Sequence, residues 1–266
     1  MKHLAIMIKP VSSFCNLNCK YCFYKDVSKN REIACYPKMD YSTATKIIDQ
    51  AFASEASTID FAFQGGEPTL AWDDFFESFF QYCEENKKSK EVFYSIQTNG
   101  YNLSNKLVKL FKKYNVLVGM SLDGLEKVHN KLRPIQNKDT YNKIIENINK
   151  LKENNIDFNI LTVLSKQLEP YGKEVFEMFL KNNFEHIQII ECLAELNESS
   201  KDSAYACTPS VYKSFYTDFY KAWIDSLRNG KYVSVNTIND AVRVLSNQMP
   251  ASCGRLGFLE YKMSLK

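Results

Sequence analysis

Short apolar runs alternate with amphipathic helical stretches through most of this chain, and that alternation limits the fold more than any other feature. The strand candidates span residues 4–8, 58–63, 92–97, 116–121, 157–163 and 186–190. Between them the apolar residues change to a helical period. Ala44, Ile47, Ile48, Ala51 and Phe52 form one stripe, and Phe75, Phe76, Phe79, Phe80 and Cys83 a second. Leu103, Leu107, Leu110 and Phe111 follow, then Tyr141, Ile144, Ile145, Ile148 and Leu151, then Val175, Phe176, Phe179 and Leu180. Residues at this spacing share one helix face. Asp139 is placed to cap the fourth helix, and Thr208-Pro209 opens a later one that stops at Asn229-Gly230. The pattern predicts an α/β fold with parallel strands, outer helices and right-handed crossovers. About six such units suit a partial barrel or a doubly wound sheet. Either arrangement puts the active site at the carboxyl ends of the strands. Beyond Gly230 one more stripe, Ile238, Ala241, Val242 and Leu245, reads as a short C-terminal helical appendage.

Just past the first strand lies Cys15-Asn16-Leu17-Asn18-Cys19-Lys20-Tyr21-Cys22, a C-x3-C-x2-C spacing. Thiolates are the usual ligands of iron–sulfur clusters, and close spacing on one loop lets three of them share a cluster. Three cysteines for four irons leave one iron open to a substrate, much as catalytic zinc keeps an open position. A zinc site short of its fourth ligand is the competing interpretation of the same residues. Cys83 falls on an apolar helical stripe and belongs to the core, while Cys35, Cys192 and Cys207 have no metal-ligand spacing.

Several function classes find no support. The chain carries 34 basic and 31 acidic residues, so its charge gives no reason to expect nucleic acid or an anionic membrane as a partner. The apolar stretch at 4–8 is too short for a signal-peptide core and is followed by Lys9-Pro10, which points to a cytoplasmic protein in a reducing compartment. His3, His129 and His186 form no cluster, and neither a hydrolase triad nor a phosphate-binding glycine loop is present.

The cysteine loop, with Tyr21 before its last cysteine, resembles the signature of the radical S-adenosylmethionine (SAM) superfamily. The surrounding sequence narrows the likeness. Ile8-Lys9-Pro10, Cys22-Phe23-Tyr24, Gln64-Gly65-Gly66-Glu67-Pro68-Thr69, Gln97-Thr98-Asn99-Gly100 and Ser121-Leu122-Asp123-Gly124 together resemble the anaerobic sulfatase-maturating enzymes over roughly residues 4 to 257. The resemblance implies a partial (β/α)6 barrel over residues 1–230. It implies a 4Fe–4S cluster on Cys15, Cys19 and Cys22, with SAM on the open iron. It also implies SAM contacts from Tyr21, Gly66, Ser121, Arg133 and Leu193: Gly66 near the amino group, Ser121 toward the ribose, Arg133 against the carboxylate and Leu193 on the adenine. Each has a bland alternative, from a tight Gly-Gly-Glu-Pro turn to a surface arginine. Tyr24, Gln64 and Asn99, at the mouths of the same strands, are implied to face a peptide, although strand-end polar residues often only satisfy loop backbone.

The implied reaction passes one electron from the cluster to SAM, giving methionine and a 5′-deoxyadenosyl radical. The radical removes a Cβ hydrogen from a cysteine or serine of a sulfatase, and the product is formylglycine. An electron donor such as flavodoxin or ferredoxin is implied as a second partner. Residues 231–266 resemble the start of an auxiliary-cluster (SPASM-type) domain, with Ala251-Ser252-Cys253-Gly254-Arg255-Leu256-Gly257 at its beginning. No cysteine follows Cys253, so the expectation is a truncated or frameshifted maturase that cleaves SAM without completing formylglycine, the family's proton-accepting aspartate lying beyond Lys266. The rivals are a radical SAM enzyme that modifies another peptide and a non-catalytic remnant that binds SAM.

Overall fold

Seven parallel strands make one sheet in strict chain order: β1 (His3–Ile8), β2 (Thr58–Phe63), β3 (Glu91–Thr98), β4 (Leu117–Ser121), β5 (Phe158–Leu164), β6 (His186–Glu191) and β7 (Ser234–Val235). The computed structural model describes residues 2–136 and 138–251. The helices are α1 (Phe23–Lys29), α2 (Tyr41–Ala53), α3 (Asp73–Asn86), α4 (Asn105–Lys113), α5 (Glu126–Leu132), α6 (Tyr141–Glu153), α7 (Gly172–Lys181), α8 (Pro209–Arg228) and α9 (Asn236–Leu245). Each of the first six strands begins and ends within a residue or so of its expected bounds. Because every strand runs the same way, all their carboxyl ends open on one side, where the loops gather. β1 and β7 are the free edges, so the sheet is a partial barrel. The stretch after Gly230 does more than append a helix, since Ser234 and Val235 pair with His186 and Ile187 and extend the sheet.

Alternation along β2 sorts its side chains. On β2, Ile59, Phe61 and Phe63 are buried beneath the helices, while Asp60, Ala62 and, just past the strand, Gln64 point to the inner face. Phe61 and Phe63 meet Phe79 of α3 edge-on, with ring centroids 5.2 and 5.0 Å apart. Phe76, Phe80, Tyr94 and Phe111 complete the cluster. Each fully buried phenylalanine contributes about 1.5–3 kcal/mol, and an edge-to-face pair adds about 0.5–1.5 kcal/mol. Cys83 is buried in this layer, as its helical stripe requires. A second aromatic layer joins Phe176 and Phe179 of α7 to Phe215 and Phe219 of α8.

Side chains of the N-cap residues hold the starts of α2, α4 and α8. Thr208 caps α8 through Val211 N, and Gly230 leaves that helix at φ 77°. The start of α6 is capped from a distance. Asn130 Oδ1, on α5, accepts from Thr140 N (3.0 Å) and Tyr141 N (2.9 Å), so Asp139 does not fill the role its position suggested. Thr140 makes no side-chain cap bond either, and its hydroxyl donates to Arg133 O (2.8 Å). Among the described residues no helix is long and apolar enough to cross a membrane. The cluster-ligand resemblance of Cys253 lies outside the described residues.

Candidate active site

The loop from Lys9 to Cys22 lies across the strand ends and is stitched down on both sides by backbone hydrogen bonds. On one side Gly66 N donates to Ser12 O and Glu67 N to Phe14 O, both at 2.8 Å. On the other, Asn18 N donates to Pro134 O and Lys20 N to Leu132 O, both at 2.9 Å. The glycine pair is a consequence of the first seam. Gly65 has φ +115°, and a Cβ on Gly66 would sit 1.9 Å from Phe14 O. Only residues without a side chain let two backbones approach so closely. Gly66, which the resemblance places near the SAM amino group, also lines the cavity below. In the structure the Cβ position is filled by the cysteine loop.

The seams bring Cys15, Cys19 and Cys22 to one cavity of about 540 Å³. Burial pushes the Cys15 thiol up to about 12 and the Cys19 thiol up to about 11, the latter opposed by the nearby charge of Arg133. Thiols so reluctant to ionise need a strong cation, and metal ligation supplies one while expelling the protons. Among the described residues no three His, Cys, Asp or Glu side chains converge as a single metal ion requires. Three thiols on one loop around one cavity are the donor set of an iron–sulfur cluster.

Two buried carboxylates hold the surroundings, and neither had a role in the sequence reading. Glu67 accepts from Thr69 N (3.0 Å), Thr69 Oγ1 (2.8 Å), Thr98 Oγ1 (2.7 Å) and Asn99 N (2.6 Å). Burial raises its pKa, with these donors pulling the other way. It ties the turn after β2 to the turn after β3. Asp123, just past β4, accepts from Arg133 Nε (2.8 Å) and Nη2 (3.2 Å), from Val163 N of β5 (3.1 Å) and from the Tyr21 hydroxyl. Burial alone would raise its pKa, but the Arg133 guanidinium holds it below the usual carboxylate value. Asp123 N donates to His129 Nδ1 (3.1 Å), which fixes the imidazole tautomer with its proton on Nε2 facing Thr140 Oγ1. Arg133 thus uses Nε and one Nη2 hydrogen on Asp123, and its guanidinium carbon stands 5.5 Å from the Tyr21 ring centroid.

The remaining expected residues line the same cavity. Ser121 Oγ accepts from Gln97 Nε2 (3.1 Å). Gln64 Oε1 accepts from the Tyr24 hydroxyl (3.4 Å). Asn99 turns toward the cysteines, with Nδ2 2.8 Å from Asn16 Oδ1 and 3.7 Å from Cys15 Sγ. Leu193 is exposed on the loop after β6, opposite the cysteine loop. That loop is fastened to α1 by Asp26, whose buried carboxylate accepts from Leu196 N (2.8 Å). So all three expected cluster cysteines, all five expected SAM residues and all three expected peptide residues meet in one cavity.

Comparison with known proteins agrees with this geometry. The pattern of the Radical SAM superfamily matches residues 10–179. The cysteine-type anaerobic sulfatase-maturating enzyme of Clostridium novyi (strain NT) is 38% identical over 97% of this chain and 70% of its own length. The serine-type enzyme of Bacteroides thetaiotaomicron is 24% identical over 98% of this chain and 68% of its own length. A solved structure of native anSMEcpe with bound AdoMet and the Kp18Cys peptide superposes with a TM-score of 0.89 at 30% identity, covering 96% of this chain and 70% of that one.

Proposed function

The chain belongs to the radical SAM superfamily and, within it, to the anaerobic sulfatase-maturating enzymes, and from that premise we propose that it oxidises a cysteine or serine of a sulfatase polypeptide to formylglycine. The higher identity to the cysteine-type relative favours a cysteine target. The observation that carries the proposal is the convergence of the cysteine, SAM and peptide residues on one cavity. Bound there, a 4Fe–4S cluster and SAM supply a low-potential electron and a primary carbon radical able to take a hydrogen from a side-chain carbon.

The protein's own contribution is placement. Cys15, Cys19 and Cys22 hold the cluster on a loop that two backbone seams keep rigid. Arg133, oriented by Asp123, offers its Nη1 group to the SAM carboxylate, a charge-assisted contact. Tyr21 and Leu193 would flank the nucleoside, and the Ser121 hydroxyl would meet the ribose. Gln64 and Tyr24, already bonded to each other, present the polar edge against which peptide backbone docks. A flavodoxin or ferredoxin is the class of electron donor that suits such a site.

One assay tests the whole reading. The protein is reconstituted anaerobically with iron and sulfide, reduced with dithionite, and mixed with SAM and a peptide carrying the sulfatase motif. Release of 5′-deoxyadenosine is the expected result for SAM cleavage, and an aldehyde residue in the peptide, detected by mass and by hydrazide capture, that for the complete reaction. A wild-type protein that takes up no iron, or that leaves the peptide mass unchanged while releasing no 5′-deoxyadenosine, would sink the proposal.

A further inference from the structure

Asn99, which the resemblance places toward a peptide, has its backbone and side chain held by four hydrogen bonds. Its backbone N–H donates to Glu67 Oε2 (2.6 Å), which fixes the turn after β3. Its Oδ1 accepts from Tyr101 N (2.9 Å), which fixes the amide. With the oxygen committed to Tyr101, the nitrogen must lie on the other side, where it meets Asn16 Oδ1 at 2.8 Å and Cys15 Sγ at 3.7 Å. Cys15 Sγ accepts a second N–H from Leu17 at 3.4 Å. Among the described residues Cys19 and Cys22 receive no such donor, so the three sulfurs are not equivalent.

We infer that Asn99 sets the reduction potential of the site by donating to the Cys15 sulfur. The inference rests on the cluster reading above. An electron entering a cluster adds negative charge to its sulfurs, and an N–H aimed at one of them stabilises the reduced form more than the oxidised one. Losing the donor therefore makes the site harder to reduce. Leu17 N remains in any Asn99 variant, so the effect is partial. The Glu67 bond also remains, because it uses the backbone of Asn99.

Two variants isolate the side chain. Asn99→Ser keeps a short hydroxyl for Tyr101 N but cannot reach Cys15, and Asn99→Ala removes both contacts. The midpoint potential of the reconstituted, SAM-free protein is followed by electron paramagnetic resonance during a redox titration, with iron content measured alongside. The expected result is full iron content in both variants and a reduction equilibrium about tenfold less favourable, close to 59 mV more negative for one electron. An unmoved midpoint together with a raised KM for peptide would return Asn99 to the substrate side and overturn the inference. Loss of iron from both variants would also overturn it, making Asn99 a brace for the cysteine loop. Iron content of the unmodified protein separates these outcomes from failure of the proposed function, since a protein that binds no iron fails there first.

Discussion

Replacing Asp123 by alanine strips three partners at once. Arg133, 7% exposed, loses both bonds that neutralise it, Val163 N loses its acceptor, and the Tyr21 hydroxyl loses its anchor. Breaking a buried ion pair by removing one partner costs about 3–5 kcal/mol, because the survivor keeps its charge without compensation. An orphaned backbone N–H adds about 1–3 kcal/mol, although neighbouring losses do not sum fully. The expected destabilisation is therefore about 4–6 kcal/mol, a large share of the roughly 5–15 kcal/mol that holds a typical domain folded. Equilibrium urea unfolding of the metal-free protein under reducing conditions measures it. The partner experiment is the double variant Asp123→Ala with Arg133→Met, which removes the stranded charge and should recover more than half of the loss. If Asp123→Ala costs less than about 1 kcal/mol, the pair is not the desolvated clamp its burial implies. The same holds if the double variant is less stable than the single one. The pH dependence gives a second check. The folded pKa of Asp123 is depressed, so its contribution is present above the unfolded carboxylate value, about 3.9, and is lost as pH falls through the folded value.

Two further outcomes follow from the same framework. Burial lowers the pKa of His129 to about 4, so between about 6.5 and 4 the unfolded chain takes up a proton that the folded one refuses. Stability should fall by about 3 kcal/mol as pH drops through that window, and His129→Gln should abolish that slope in a pH series of urea midpoints. A slope unchanged in the variant would refute the assignment. Gly66→Ala places a methyl group 1.9 Å from Phe14 O in the cysteine loop, so reconstitution should yield a severalfold lower iron content. Full iron with SAM binding alone lost would mean that the glycine serves the ligand rather than the loop.

The first six strands were legible because each is a short apolar run beside a helix with a period of 3.6, and both signals are local. The cysteines were legible for the same reason, as their spacing is written within eight residues. What escaped was long-range. β7 has two residues, too few to show a period. The cap of α6 comes from Asn130, ten positions from Thr140 in sequence. Glu67 and Asp123 stood inside recognised segments, but their roles depend on partners 32 and 102 positions away. Nothing in sequence marks a carboxylate as one that will be buried against a particular arginine. Register decides that, and register emerges only when the strands align.

The same distinction separates the two walls of the cavity. The wall built by the cysteine loop and the turns after β2 and β3 rests on backbone seams and on the four donors of Glu67, and a residue there moves only if the sheet does. The opposite wall, which carries Leu193, is the loop after β6, and a side chain of α1 reaches it. Asp26 holds it with one charge-assisted bond to Leu196 N, helped by a 3.4 Å contact between Asn197 and Asn30. A single hydrogen bond to a charged group contributes about 1.5–3 kcal/mol, far less than a ladder. The cysteine-loop wall is thus tied to the strand ends by backbone bonds, while Asp26 adds a tie from α1 to a loop that is also held by Cys192 N to Leu164 O (2.9 Å), Lys166 N to Tyr205 O (3.1 Å) and Cys207 N to Cys192 O (2.8 Å).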